Sequence, residues 1–406
     1  MKNIYYILFS LLFIGISCSG NKHENTISIN DKINLDTSVI YPGAYSVTKY
    51  IPLLQNKNVA LVVNQSSLIN GQHLMDTLMS LDIQVKKIFA PEHGFRGKED
   101  PGETIDNSID KKTGIPVVSL YGKKTKPTKE DLKGIDIILY DIQDVGVRFY
   151  TYISTLGLVM EAAAQYGLPV IVLDRPNPVG YLIDGPVLEK KFKSFVGMYP
   201  IPVAYGMTIG ELARMIKGEN WIENTGNLDL TVISCTNYRH DKMYDLPVKP
   251  SPNLPDNIAI TLYPSLCFFE GTTVSVGRGT DKPFKQIGHP GLKEYYEYFF
   301  IPEPNEGSKH PKHIGEKCYG IDLSGLKIKD FRYKNKLDLS YLIDFYNKLK
   351  DKDKYFKENG WIDKLAGTDK LRKMIIAGKN EMEIRESWQK KLEKFKQKRE
   401  KYLLYK

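Results

Sequence analysis

Along the chain, short unbroken apolar runs rich in β-branched residues alternate with longer stretches whose apolar positions recur every three or four residues. The short runs read as buried strands, because they are too brief for stable helices and are bounded by polar or Gly/Pro punctuation. Five are placed this way: Asn58 to Val63, Val85 to Phe89, Pro116 to Leu120, Ile135 to Tyr140 and Pro169 to Leu173. Between the last two, the stretch from Tyr152 to Tyr166 puts Leu156, Val159, Met160 and Ala163 on one helical face. Strand and helix in alternation predict βαβ units with right-handed crossovers, hence an α/β fold built on a Rossmann-like open parallel sheet over residues 39–206. A capping box, Thr208-Ile-Gly-Glu211, then opens a helix through Ile216 and begins a smaller α/β (α+β) domain over residues 207–406. In that second part Asn227 to Cys235 and Asn257 to Leu262 read as further strands. Ile384, Trp388, Leu392, Phe395 and Tyr402 mark a C-terminal amphipathic helix docked on the core.

The first residues break this rhythm. Lys2 precedes an almost unbroken apolar run from Ile4 to Ile16, the length of a secretory h-region and too short to span a bilayer stably, for which about 20 residues are needed. The run ends in Gly15-Ile16-Ser17-Cys18, a loose lipobox. Residues 1–18 are therefore expected to be a lipoprotein signal peptide ending at a lipidated Cys18, with the polar tract 19–38 as a linker behind the anchor. The expected location is the bacterial cell envelope, periplasmic or on the outer-membrane face. The net charge of +9 does not change this into a nucleic-acid reading, since the tail from Glu381 to Lys406 holds nine Lys or Arg against five Glu and so supplies +4 of it. Beyond Cys18 there remain Cys235, Cys267 and Cys318, an odd number with no CxxC or Cys/His spacing, so neither a disulfide framework nor a structural zinc is expected. No G-x-G-x-x-G follows the first strand and no G-x-x-x-x-G-K-[ST] occurs, so no nucleotide cofactor is expected.

In open parallel sheets ligands bind beyond the carboxyl ends of the strands. The residues there are conspicuously polar: Asn64-Gln65-Ser66-Ser67 after the first strand, Pro91-Glu92-His93-Gly94 after the second, Asp141-Ile142-Gln143-Asp144 after the fourth and Asp174-Arg175-Pro176-Asn177-Pro178 after the fifth. Glycosidic cleavage needs a carboxyl group to protonate the leaving oxygen and commonly a second carboxylate as nucleophile or base. Glu92, in a short rigid turn, is the candidate for the first role. Glu270, leaving an apolar run at Gly271, and Asp141 are the candidates for the second, with Asp144 and Asp174 competing. Arg96, Arg148, Arg175 and Arg278 could capture a substrate carboxylate in bidentate fashion. Asn64, His93, Tyr150, Asp174, Asn177 and Asp281 complete the expected binding set, and Tyr152 and Tyr263 could add sugar-stacking walls. His93, Asp141, Asp174 and His289 could also be combined into an oxygen- and imidazole-rich metal site, but their spacing matches no metal motif, and no metal is expected.

Four motifs carry a resemblance. Ala90-Pro91-Glu92-His93-Gly94-Phe95-Arg96-Gly97, the segment from Tyr140-Asp141 through Gly146-Val147-Arg148-Phe149-Tyr150, Asp174-Arg175-Pro176-Asn177-Pro178, and Phe269-Glu270-Gly271-Thr272 through Gly277-Arg278-Gly279-Thr280-Asp281-Lys282-Pro283-Phe284 are similar, in this order, to the NamZ-type exo-β-N-acetylmuramidases. The resemblance spans the chain from about Ile40 onward. It implies a Rossmann-like domain, a smaller C-terminal domain, a cleft accepting the non-reducing end of a muramic-acid-containing sugar, and a catalytic role for Glu92. It leaves the roles of Glu270 and Asp141 open, and with them the choice between a retaining and an inverting mechanism. The activity it implies is release of N-acetylmuramic acid from peptidoglycan fragments. A lipid-anchored sugar-binding protein or a metal-dependent peptidoglycan hydrolase are the rival readings of the same rim residues.

Overall fold

The computed structural model describes residues 36–95 and 107–405. Its centre is a seven-stranded sheet of β1 (Val59–Val63), β2 (Val85–Ala90), β3 (Ser108–Ile109), β4 (Pro116–Ser119), β5 (Ile137–Asp141), β6 (Val170–Leu173) and β7 (Leu230–Ile233), in the spatial order β7-β6-β5-β1-β2-β4-β3. All pairings are parallel except that of β3 with β4. Strands β1 and β5 are buried at every position, as strands covered on both faces must be. The chain runs outward from β1 through β2 to β4, then returns to the other side of β1 at β5, so the sheet switches direction between β1 and β5.

The helices that cover the sheet follow from local signals. Helix α1 (Val47–Leu54) and α2 (Leu74–Ser80) are short; α3 (Tyr152–Tyr166) coincides with the helix read from the sequence and ends at Gly167, whose φ of 69° supplies the left-handed cap. Helix α4 (Ile209–Gly218) opens on the expected capping box: the Glu211 amide donates to Thr208 Oγ1 at 3.2 Å, and the Thr208 amide donates to the Glu211 carboxylate at 2.9 Å.

One expected strand forms and one does not. The strand expected within Asn227 to Cys235 forms as β7 and pairs with β6 at the edge of the main sheet, so that sheet draws on chain beyond residue 206. The run from Asn257 is not a strand but helix α5 (Asn257–Leu266), started by Asp256, whose carboxylate accepts from the Ala259 amide at 3.0 Å. That helix is buried on most of its surface, through Ala259, Ile260, Leu262, Tyr263 and Leu266, which erases the helical period that would have distinguished it.

After α5 come a small antiparallel sheet, β8 (Gln286–His289), β9 (Phe299–Phe300) and β10 (Cys318–Asp322), with β10 central, and the helices α6 (Ile328–Lys334), α7 (Ser340–Lys348), α8 (Trp361–Ala366), α9 (Lys370–Ile376) and α10 (Glu381–Arg399). Ile384, Trp388, Leu392 and Phe395 of α10 are buried, as its periodicity predicts, while Tyr402 lies just beyond it in a 3₁₀ turn. Among the described residues no helix is long and apolar enough to cross a membrane.

Candidate active site

Strand β2 delivers the first carboxylate. Immediately after it, Pro91 to Gly94 form a turn closed by the Gly94 amide on the Pro91 carbonyl at 3.0 Å. His93 occupies it at φ 69°, a left-handed conformation that non-glycine residues seldom take. Such backbone costs on the order of 1 to 3 kcal/mol and persists where surrounding structure enforces it. The result is a half-buried Glu92 whose Oε2 accepts from Thr151 Oγ1 at 2.6 Å. Thr151 is the residue before α3 and would ordinarily cap it, but its hydroxyl makes no cap bond there.

Glu270 comes from the second half of the chain, on a 3₁₀ turn (Cys267–Gly271) that continues α5. Gly271 is required at its end: a Cβ there would lie 2.6 Å from the backbone of Ile362, where the first turn of α8 packs. Glu270 Oε1 accepts from Arg278 Nε at 3.0 Å, and the guanidinium also sits 5.0 Å over the Phe284 ring. Burial acts to raise the Glu270 carboxyl, but Arg278 and Lys312 outweigh it and hold the group down at about 2. Glu270 is thus ionised across the physiological range.

Both carboxylates line one cleft of about 300 Å³, toward the small end for ligand sites, with His93, Tyr150, Thr151 and Arg278 beside them. Its aromatic lining is Tyr121, Phe149, Tyr263, Phe284 and Trp361, and Phe149, Tyr263 and Phe284 meet edge to face at 5.4 and 4.9 Å. Tyr150 is fixed by donating to the Pro250 carbonyl at 2.9 Å.

The other residues singled out from the sequence lie elsewhere, and the reason is common to most of them: buried polar groups without water must satisfy one another. Asp141, fully buried at the end of β5, accepts both arms of Arg175 at 2.6 and 2.8 Å, so neither is available to a substrate and Asp141 is not the second carboxylate of the cleft. Asp174 accepts from Thr208 Oγ1, the Gly210 amide and the Tyr405 hydroxyl. Asn177 bridges the Met207 carbonyl and the Val179 amide, and Asn64 Oδ1 accepts from Ser66. Arg148 is wholly buried and donates to the carbonyls of Pro186, Ile201 and Leu365. Asp281 is exposed and does not line the cleft. His289 packs edge to face on His313 rather than beside Glu92, and among the described residues no three His, Cys, Asp or Glu side chains gather as a metal site would require. Arg96 and Cys18 lie outside the described residues.

Two family models match the chain in succession: the N-terminal part of the exo-beta-N-acetylmuramidase NamZ over residues 59–258, and its C-terminal part over residues 261–405. The chain belongs to the NamZ family. It is 38% identical, over 424 aligned residues and the whole of both chains, to the peptidoglycan beta-N-acetylmuramidase NamZ of Bacillus subtilis (strain 168). Two crystal structures of DUF1343-family proteins from Bacteroides fragilis NCTC 9343 are similar. One has 45% identity and a TM-score of 0.84, covering 91% of this chain and 99% of that one; the other has 28% identity and a TM-score of 0.73, covering 90% and 99%. The first NamZ model runs well past residue 206, in keeping with the place of β7 in the main sheet.

Within this NamZ-family chain the cleft also holds residues that the motifs did not point to. Thr151 directly follows Tyr150, and its position before a helix disguised it as a cap. Trp361, one of three tryptophans, opens the short helix α8 in a segment without a motif. Ser251, Asn253 and Leu254 belong to a loop with prolines at 250, 252 and 255, which its own Pro250 carbonyl ties to Tyr150.

Proposed function

We propose that this NamZ-family protein is an exo-acting glycoside hydrolase that releases N-acetylmuramic acid from the non-reducing end of peptidoglycan fragments. The observation that carries the reading is the pairing of Glu92 and Glu270, one from each half of the chain, on the walls of one cleft. Glu270 is held ionised by Arg278 and Lys312, which suits a nucleophile, a base or a stabiliser of an oxocarbenium-like transition state. Glu92, steered by the Thr151 hydroxyl at the end of β2, is placed to act as the acid that protonates the departing glycosidic oxygen. Water then completes hydrolysis. Arg278 uses its Nε–H on Glu270 and carries four further N–H donors, enough to read the lactyl carboxylate that distinguishes muramic acid from glucosamine. The aromatic lining would stack the sugar ring.

Envelope location belongs to the same proposal. The apolar run from Ile4 to Ile16, the Cys18 that follows it and the polar tract behind it support a lipid anchor that holds the enzyme where peptidoglycan fragments are released.

The test uses the protein without residues 1–18 on a chromogenic β-N-acetylmuraminide, beside the matching β-N-acetylglucosaminide. Release from the muraminide alone is expected, with Glu92→Gln lowering kcat by about a thousandfold or more, the scale of a lost general acid combined with a good fit to the transition state. A folded protein that releases neither would overturn the reading.

A further inference from the structure

The turn that carries Glu270 is gripped from outside by two consecutive residues. Lys312 Nζ donates to the Phe269 carbonyl at 2.8 Å and to the Val274 carbonyl at 2.9 Å, and the ring of His313 meets the Thr273 carbonyl through Nε2 at 2.7 Å. Three carbonyls on either side of Glu270 are thus held by one dipeptide from a distant segment. The Thr272 amide and hydroxyl converge on the same Phe269 carbonyl, each at 2.9 Å. His313 adopts φ 58°, a left-handed conformation like that of His93, which fits a segment bent to meet a demand elsewhere. Neither residue lines the cleft.

We propose that Lys312 is a positioning residue for the reaction: with His313 it clasps the Glu270 turn by its carbonyls and brings a positive charge beneath the Glu270 carboxylate. The inference rests on the reading of Glu270 as the ionised partner of Glu92. An ordinary loop fastening needs no ammonium, because an amide or hydroxyl would hold the same carbonyls without the cost of partly burying a charge. Here the burden is visible, since burial pulls the Lys312 ammonium down to about 8 despite the opposing influence of Glu270. The charged and titratable groups that face Glu270 are Arg278 and Lys312, then Lys357, with Tyr263 and Cys267 from α5 and its continuation. Of the two leading cations, Arg278 lines the cleft and can change partner when a substrate enters, whereas Lys312 lies behind the turn and cannot. Lys312 therefore keeps Glu270 ionised through the catalytic cycle, including any step in which Arg278 turns toward a substrate carboxylate.

The experiment compares wild type, Lys312→Met, Lys312→Gln and Lys312→Arg in two measurements. The first is the pH profile of kcat and KM on the chromogenic β-N-acetylmuraminide. The second, independent of turnover, is the ¹³C titration of the Glu270 carboxyl, identified by its loss in Glu270→Gln. Removing a cation disfavours the carboxylate, so in Lys312→Met the Glu270 titration and the acid limb of kcat/KM are expected to move to higher pH together, by about one unit or more. The loss should fall on kcat, about tenfold, with KM little changed, and Lys312→Arg should restore the limb. Lys312→Gln, which keeps one donor without the charge, is expected to move the limb as Met does and serves if Met does not fold. An unmoved limb in an active, folded Lys312→Met or Lys312→Gln would overturn the inference. If wild type releases no sugar, the muramidase reading falls, and the carboxyl titration alone then decides: a Glu270 resonance that titrates alike with and without Lys312 overturns the inference.

Discussion

At the scale of single residues the most exposed dependency is the bond from Thr151 to Glu92. Because the Thr151 hydroxyl caps no helix, its removal should leave α3 intact and act on the carboxylate alone. Thr151→Val is expected to lower kcat on the muraminide by about tenfold, the worth of one side-chain hydrogen bond, while Thr151→Ser stays near wild type and the urea midpoint of both changes little. Equal activity in Thr151→Val would show that the Pro91–Gly94 turn orients Glu92 unaided. The same bond shows why the cleft was only partly legible in the sequence. Glu92, His93, Tyr150, Glu270 and Arg278 were found because each stands at a strand end or in a Gly-rich loop flanking apolar chain, where function and structure leave similar marks. Asp141, Asp174, Arg175, Asn64 and Asn177 carry the same marks but bond to protein groups: Asp141 to Arg175, the others to nearby backbone, hydroxyls and amides. A row of polar strand ends records that donors and acceptors converge, but not whether they meet a ligand or their neighbours. Lys312 left no mark, since its role depends on a fold that brings residue 312 to residue 270.

At the scale of elements, Arg148 decides how α8 is held. Its guanidinium donates to the carbonyls of Pro186 and Ile201 at 2.8 and 2.7 Å and to the Leu365 carbonyl, at the end of α8, at 2.9 Å. A cation at a helix C-terminus is favourable there, and burial alone brings this group down to about 9. Lysine has the charge but not the planar fork, so Arg148→Lys should leave at least one buried carbonyl unpaired and cost about 2 to 4 kcal/mol of unfolding free energy by urea titration. Gly367 supports the same joint: it lies at φ 71°, and a Cβ would come within 2.7 Å of Arg148 Nη2, so Gly367→Ala should destabilise too. Leu365 and Trp361 of α8 line the cleft, so both variants should also raise KM. Elements themselves were read well where the two periodicities differ clearly, as in the five parallel strands and α3. They were misread at α5, where burial on most sides removed the period. The place of β7 was not legible for another reason: this strand of the main sheet arrives after α4, and sequence order does not record that a later strand returns to an earlier sheet.

For the whole molecule, the question is how a protein that keeps two carboxylates poised in a cleft responds to acid. Glu270 contributes stability that is present above the usual carboxylate range and is lost as pH falls toward about 2. Asp144 works in the opposite sense. Its Oδ2 accepts from the Gly146 amide at 2.7 Å and from the Tyr205 hydroxyl, while its Oδ1 is buried without a hydrogen bond of good geometry, and burial pushes the carboxyl up to about 6 against those two bonds and the nearby Val145 amide. In the unfolded chain the group titrates near 3.9, so between there and 6 the folded protein binds a proton that the unfolded chain has released. Its contribution is therefore full below about pH 4 and declines as pH rises through 6, by roughly 2 to 3 kcal/mol in all. Asp174, pushed up to about 7 chiefly by burial, adds to the same slope. The orphan oxygen gives a clean test, because Asp144→Asn can keep an acceptor toward Gly146 and Tyr205 and place its amide where the proton would sit. Urea unfolding of the protein without residues 1–18 should show wild type losing stability between pH 5 and pH 8, and Asp144→Asn losing distinctly less over that interval. Parallel pH dependence in the two proteins would mean that Asp144 is ionised in the folded state and that its orphan oxygen is satisfied by solvent. The opposed signs leave the fold best held in mildly acidic solution, low enough for the buried acids behind the cleft to keep their protons and high enough for Glu270 to remain charged.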